Sequence, residues 1–271
     1  MTPLSRSVLL SVPAIAVFAA FWLLPVAHLL VVGASGEQGL STYWLVLTSP
    51  NYRRSLLATI GLSAAVTVAA LFVSAITGFF LQRQRFRGRT LLVASLSFPL
   101  AFPGVVIGFL IILIGGRQGL IGTMTEWLFG DRVVFAYGMA GLFLGYLYFS
   151  IPRTILTIMA TVEKLDSSLE EAARTLGASP IQVLRDVILP GLRPALISAG
   201  AICFATSMGA FGTAFTLATQ INVLPITIYN EFTNYANFPV AAALSVVLGL
   251  VTWVTLALAR QVGGAQAAAA A

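Results

Sequence analysis

Charge is scarce in this chain. Asp, Glu, Lys and Arg together make up 9% of its 271 residues, where a soluble domain carries about 25%. Lysine, histidine and cysteine occur once each, as Lys164, His28 and Cys203. A single cysteine excludes an intramolecular disulfide and any multi-cysteine metal site. It lies in an apolar run and reads as a buried, inert thiol. His28 sits inside the first apolar run with no Cys, Asp or Glu at ligand spacing. It therefore reads as a hydrogen-bonded residue of a helix bundle, not as a metal ligand or proton carrier. A Walker A loop needs Gly-Lys, and the only lysine follows Glu163, so this chain has no nucleotide-phosphate loop of its own. No catalytic constellation is present, no cofactor is expected on this chain and no metal site either.

What the sequence has instead is apolar length, with 58% hydrophobic residues. A first run, Ser7–Val32, is longer than the apolar core of about 7–15 residues in a signal peptide. It meets the roughly 20 residues that a span requires and reads as an uncleaved first helix, with Pro13 and Pro25 as kinks. Further spans are expected at Ser55–Leu81, Thr90–Gly115, Val133–Thr161, Ala195–Thr219 and Pro239–Arg260. The third contains Phe98-Pro99 and Phe102-Pro103-Gly104 and should be bent or locally unwound. Arg117–Arg132 is a loop with a short amphipathic piece around Glu126-Trp127-Leu128. The expected fold is thus an all-α integral membrane protein with six transmembrane helices. It forms one domain over residues 1–271, and residues 261–271 are a low-complexity tail.

Six spans fix which loops share a side. One side carries Arg6, Arg83, Arg85, Arg87, Arg89, Arg153, Lys164, Arg174, Arg185, Arg193 and Arg260. The other carries Arg53, Arg54, Arg117 and Arg132. Eleven against four places both termini in the cytoplasm by the positive-inside rule. The net charge of +6 is therefore a matter of topology and not a nucleic-acid surface. The same reading covers the arginine cluster at 83–89.

The one long polar insert in the second half is Ser167–Pro194, SSLEEAARTLGASPIQVLRDVILPGLRP. Ser167 with Glu170, and Ser168 with Glu171, are overlapping capping-box patterns that start a helix. Gly177 stands where a left-handed C-cap falls. Ser179 is a second N-cap and Pro180 a first-turn proline. Ile181, Val183, Leu184, Val187 and Ile188 give the second helix an apolar stripe, and Pro190 and Pro194 stop it. Such a stripe can lie on lipid, fold on its own bundle or dock into another protein.

The spacing Glu171-Ala172-Ala173, three residues, Gly177, nine residues, Val187, one residue, Leu189-Pro190 resembles the EAA loop of bacterial ABC importer permeases. The family usually has Ile where Val187 stands. The resemblance covers about residues 50–260 and implies a type I importer permease in the bacterial inner membrane. In that family the loop is a coupling helix held in a groove of the ATP-binding subunit. By resemblance, Ser179–Asp186 is the inserted helix and Gly177 the turn before it. Glu171, Ala172 and Ala173, with Pro180, Val183, Leu184, Leu189 and Pro190, complete the coupling loop. The implied partners are two ATP-binding subunits that carry ATP and Mg, a second permease subunit, and an extracytoplasmic substrate-binding protein. The lipid bilayer surrounds the permease pair, and nucleic acid is no partner.

Two stretches suit a translocation pathway, Phe98–Gly108 and Ser207–Thr219. Phe102 and Gly104 come from the first, and Ser207, Gly209, Phe211, Thr213 and Phe215 from the second. Small residues and hydroxyls there serve helix packing or a polar cavity equally well. Gly104 with Gly108, and Gly141 with Gly145, read as packing pairs. The fifth span is similar to permeases of the polyamine, phosphonate and ferric-iron group. A polyamine is the first expectation for the solute, with 2-aminoethylphosphonate, ferric iron or another small solute behind it. A secondary carrier is disfavoured because ionisable residues inside spans are few. A membrane protein docking a non-ATPase partner predicts binding without nucleotide-driven transport.

Overall fold

The computed structural model describes residues 3–217 and 221–269, with side chains over 11–217 and 221–261. The expected positions Thr219 and the last two alanines, and the side chain of Arg6, lie outside the described residues. Among the described residues every regular element is helical. In chain order these are α1 (Pro3–Phe18), α2 (Leu24–Gly33), α3 (Ser41–Thr48), α4 (Pro50–Arg83), α5 (Arg89–Ser95), α6 (Gly104–Gly115) and α7 (Leu120–Phe129). Then come α8 (Met139–Val162), α9 (Ser167–Thr175), α10 (Pro180–Val183), α11 (Leu189–Met208), α12 (Phe211–Leu217), α13 (Leu224–Tyr229) and α14 (Phe238–Ala269). Among the described residues six stretches are long and apolar enough to cross a membrane: Ser11–Gly33, Pro50–Arg83, Gly104–Phe129, Met139–Val162, Pro180–Met208 and Phe238–Gln261.

The third span is interrupted where its prolines predict, but its crossing stretch starts later than expected. The run from Thr90 is divided, and the crossing stretch begins only at Gly104. Pro99 heads a single 3₁₀ turn, Phe98–Ala101. Phe102 and Pro103 are extended, with ψ 131° and 150°. A residue before proline is pushed out of the helical region, so Phe102 ends one segment and Pro103 caps the next. The amphipathic piece around Trp127 is the helix α7, which ends at Gly130 in a left-handed conformation, φ 78°.

The fifth span differs at both ends. Pro190 and Pro194 do not stop a helix. The chain runs from α10 through one π turn, Leu184–Ile188, directly into α11. In that turn the Leu189 N–H donates to the Leu184 carbonyl. The wider turn leaves room for Pro190, which has no N–H to give. The same device stands in the first span, where a π turn over Ala19–Leu23 comes just before Leu24-Pro25. At its far end α11 stops at Met208, and α12 restarts at Phe211.

The chain forms two compact units. One comprises the segments up to Leu56 and from Thr227 to Leu250. Within it Tyr52 donates to Glu231 Oε1 at 2.9 Å, and Thr227 donates to Ser55 Oγ at 3.0 Å. His28 stands on α2 and is exposed, not a bundle residue, because that helix buries only Gly33. The other unit comprises Leu57–Ile226 and the chain from Val251 onward. Its core is Leu62, Val66, Leu142, Tyr146, Leu217 and Val223, with Cys203 buried among them as the sequence suggests.

Candidate functional site: the α9–α10 loop

The loop between α8 and α11 is built almost wholly by local rules. Its helix α9 starts one residue earlier than the serine pattern predicts. Asp166 is the N-cap, and its Oδ1 accepts the Ser168 N–H at 2.9 Å. That bond holds the Asp166 carboxyl below the usual carboxylate range. Neither serine capping box forms, because the aspartate already satisfies the end of the helix. Glu170 is thereby free to turn inward. It is buried, at 8% exposure, between the Arg83 guanidinium at the end of α4 and Arg174 at 3.7 Å.

The helix closes in a Schellman arrangement. Ala178 N–H reaches Ala173 O at 3.0 Å, and Gly177 N–H reaches Arg174 O at 2.9 Å. Gly177 takes the left-handed conformation, φ +87°, that this cap requires. Ser179 then forms a full capping box. Its Oγ accepts the Gln182 N–H at 3.4 Å, and Gln182 Oε1 accepts the Ser179 N–H at 2.7 Å. Pro180 fills the first turn.

The apolar stripe is split between two faces. Val183, Ile188 and Leu192 pack on Ile158 and Val162 of α8, with Leu165, Ala173, Ala178 and Val187 around them. Leu176, at 88% exposure, and Ile181, at 76%, point away, as do Leu169, Leu184 and Leu189. Glu171 and Ala172 lie on the exposed side, as do Gly177, Ser179, Pro180, Asp186 and Pro190. One half of the stripe therefore anchors the loop to its own helices. The other half is an unpartnered apolar ridge beside exposed polar residues.

The residues expected along a pathway do not all gather in one place. Thr213 and Ser207 are buried. Thr213 Oγ1 donates to Gly104 O at 3.0 Å, and Thr216 Oγ1 donates to Gly212 O at 3.0 Å. The first of these bonds ties α12 to α6. A Cβ on Gly108 would stand 2.5 Å from Thr216 Cβ, and one on Gly145 of α8 2.7 Å from Thr213 Cγ2. Gly104, Gly108 and Gly145 thus serve close packing. Gly209, Phe211 and Phe215 are exposed, Phe102 is half-buried, and the Phe211 and Phe215 rings lie 5.2 Å apart. Gly108→Leu is expected to destabilise the purified protein by about 1–3 kcal/mol, the usual range for overpacking, seen as a lower melting temperature. An unchanged melt would show that the α6–α12 seam has slack.

Two features escape the sequence reading. The Arg83–Glu170 pair joins residues 87 apart, and no spacing rule connects them. The topological reading of the arginine cluster also misses two roles inside it. Arg89 Nε donates to Leu81 O at 2.5 Å and its Nη2 to Gln82 Oε1 at 3.0 Å, fastening the turn after α4. Arg153 lies eight residues before the expected end of its span at Thr161, and α8 keeps it in nearly the same position. Helix α8 continues to Val162, nine residues and about 13 Å further on.

Comparison with known proteins places this architecture. Residues 70–263 match the family described as binding-protein-dependent transport system inner membrane component. The sulfate transport system permease protein CysT of Salmonella typhimurium is 32% identical over 83% of this chain and 81% of its own length. The putative 2-aminoethylphosphonate transport system permease protein PhnU of Salmonella typhi is 30% identical over 84% and 82%. The molybdenum transport system permease protein ModB of Escherichia coli is 33% identical over 65% and 76%. Among solved structures, a chain of a bacterial alginate ABC transporter superposes with a TM-score of 0.78 at 18% identity, covering 95% of this chain and 93% of that one. A chain of the MetNI methionine ABC transporter gives 0.61 at 17%, covering 82% and 96%. The chain belongs to the family of binding-protein-dependent transport system inner membrane components, as the multi-pass permease subunit of an ABC importer whose ATP hydrolysis resides in partner subunits.

Proposed function

We propose that this permease carries a small oxyanion inward and takes its drive through the α9–α10 loop. The observation that carries the loop assignment is the split stripe. The ridge of Leu169, Leu176, Ile181 and Leu184 is exposed on a loop otherwise anchored by Val183 and Ile188. Its occupant is the ATP-binding subunit that this family uses. Glu171 and Asp186 lie at its rim. Orientation follows the charge count. Removing Arg153, which lies inside its span, leaves ten basic residues of the eleven on the loop side against four on the other. That bias supports a cytoplasmic loop and cytoplasmic termini. Paired permease subunits and an extracytoplasmic binding protein complete the assembly.

The solute reading departs from the polyamine expectation. The relatives named above are designated for sulfate, 2-aminoethylphosphonate and molybdenum. In α6, α8, α11 and α12 no Asp or Glu occurs, and the charged residues are Arg153 and Arg193. A cation pathway needs acidic partners at membrane depth, whereas an anion pathway needs basic ones. The test is uptake by cells expressing the chain with its own ATPase and binding protein. Sulfate, molybdate and 2-aminoethylphosphonate are offered beside spermidine. ATP-dependent accumulation of one of the anions, uninhibited by spermidine, is the expected result. Accumulation of spermidine alone would restore the polyamine.

A further inference from the structure

We propose that Arg153 and Ser150, in the pocket between α8 and α11, form an anion-binding station within the membrane. This rests on the reading of the chain as an oxyanion importer and names the residues that such a solute meets. The pocket is lined by Ser150, Arg153, Thr154 and Thr157 of α8 and by Ala199, Ile202, Cys203 and Thr206 of α11.

Three observations converge on it. The first is depth. Arg153 stands about 21 Å from the start of α8 and about 13 Å from its end. In a hydrocarbon core roughly 30 Å thick, a helix of this length centred on the core sets the Arg153 backbone about 11 Å below the nearer surface. An arginine at this level faces a water-filled cavity or a counter-charge, not lipid. The second is pairing. Arg153 is exposed, and among the described residues no carboxylate lies within ion-pair distance of it. The third is an orphan. Ser150 is buried one turn before Arg153, and its hydroxyl has no hydrogen-bond partner.

The remaining hydroxyls of the pocket are spoken for. Thr154 donates to Ser150 O at 2.8 Å, Thr157 to Arg153 O at 3.0 Å, and Thr206 to Ile202 O at 2.9 Å. They provide polar walls without negative charge. The free donors are the guanidinium and the Ser150 hydroxyl. A guanidinium presents a planar fork of N–H groups that matches two oxygens of a tetrahedral oxyanion. A single arginine with few supporting donors holds the ion loosely, which suits a station that must also release it.

The test uses the assembled importer, with sulfate, molybdate and 2-aminoethylphosphonate as probes. Arg153→Gln is expected to lower uptake of the transported anion at least ten-fold, with the ATPase still co-purifying. Arg153→Lys should recover a substantial part, because the charge returns without the fork. A second measurement combines Cys203→Ser with Arg153→Cys, which leaves one thiol in the chain, at the station. An anionic methanethiosulfonate added to the assembled complex should modify that thiol, which requires the position to open onto a cavity that an anion can enter. Anion uptake by Arg153→Gln equal to wild type overturns the station and leaves the oxyanion reading standing. A thiol that stays unmodified in the assembled complex also overturns it, by placing Arg153 in a subunit interface. Wild type that imports only spermidine overturns the oxyanion reading itself.

Discussion

Gly177→Asp is expected to separate the permease from its ATPase while leaving the helix bundle folded. The glycine lies at φ +87°, and a Cβ built there meets nothing within 4 Å. The substitution therefore causes no clash, and its effect comes through backbone strain and charge. A left-handed conformation costs an L-residue roughly 1–2 kcal/mol, and aspartate is among the residues that bear it best. That strain falls on the Schellman closure, which sets the direction of α10 after α9. The new carboxylate also enters the ridge between Leu176 and Ile181, both largely exposed. A charge held at an apolar dock must be desolvated on binding. A loss of about 1.4 kcal/mol lowers affinity ten-fold, and desolvating an unpaired carboxylate exceeds it. ATP-driven uptake should fall at least ten-fold, and the ATPase should no longer co-purify. Gly177→Ala, which keeps the strain and omits the charge, should show a smaller loss. Glu171→Ala, at the rim, should show less again, since exposed charges contribute little. A Gly177→Asp complex that co-purifies and hydrolyses ATP at full rate would mean that the dock lies elsewhere.

The loop is legible in sequence wherever three or four neighbouring residues decide the outcome. The Gly177 cap, the Ser179–Gln182 capping box and the first-turn Pro180 are such cases. Each follows from which backbone groups are left unpaired at a helix end. The capping of α9 shows the limit of that logic. Three adjacent residues, Asp166, Ser167 and Ser168, can all serve as N-cap, and the pattern alone does not choose Asp166. Choosing Asp166 is what frees Glu170 to be buried. Pro190 misleads for a similar reason. Proline stops an α-helix of regular pitch, but a π turn just before it removes the demand for its N–H.

Longer-range outcomes are out of reach for a physical reason. The apolar stripe of the loop predicts burial, and periodicity cannot say that α8 takes Val183 and Ile188 while leaving Ile181 and Leu184 outside. Small residues at 104, 108 and 145 predict close packing, and the structure supplies the partners, Thr213 and Thr216. Position in the membrane is likewise not local. Arg153 is counted with the loop side by charge, although the expected span runs on to Thr161. The helix passes through Pro152, and the arginine is carried into the interior.

Loss of Arg83 is expected to be the most damaging single change at the loop that touches no partner. Its guanidinium pairs with Glu170 and lies 5.8 Å from the centre of the Phe79 ring. It thereby ties the end of α4 to α9. The two mutations of the pair are not equivalent. Arg83→Ala leaves a carboxylate whose side chain is only 11% exposed, with Arg174 at 3.7 Å as its remaining counter-ion. Glu170→Ala leaves a guanidinium that is 25% exposed and keeps the ring beneath it. Stranding one member of a fully buried pair costs about 3–5 kcal/mol. Partial exposure and the second arginine reduce this to roughly 1–3 kcal/mol for Arg83→Ala. Glu170→Ala should cost less, and Glu170→Gln, which keeps an acceptor, least. The loop would then be poorly held, so uptake should fall further than the melting temperature alone accounts for. The reversed pair, Arg83→Glu with Glu170→Arg, restores the attraction across α4 and α9 and should recover part of both. It also sets a second guanidinium beside Arg174, so recovery is incomplete unless Arg174 is replaced as well. Equal melting temperatures for wild type and Arg83→Ala would show that apolar packing of Val183 and Ile188 alone fixes the loop.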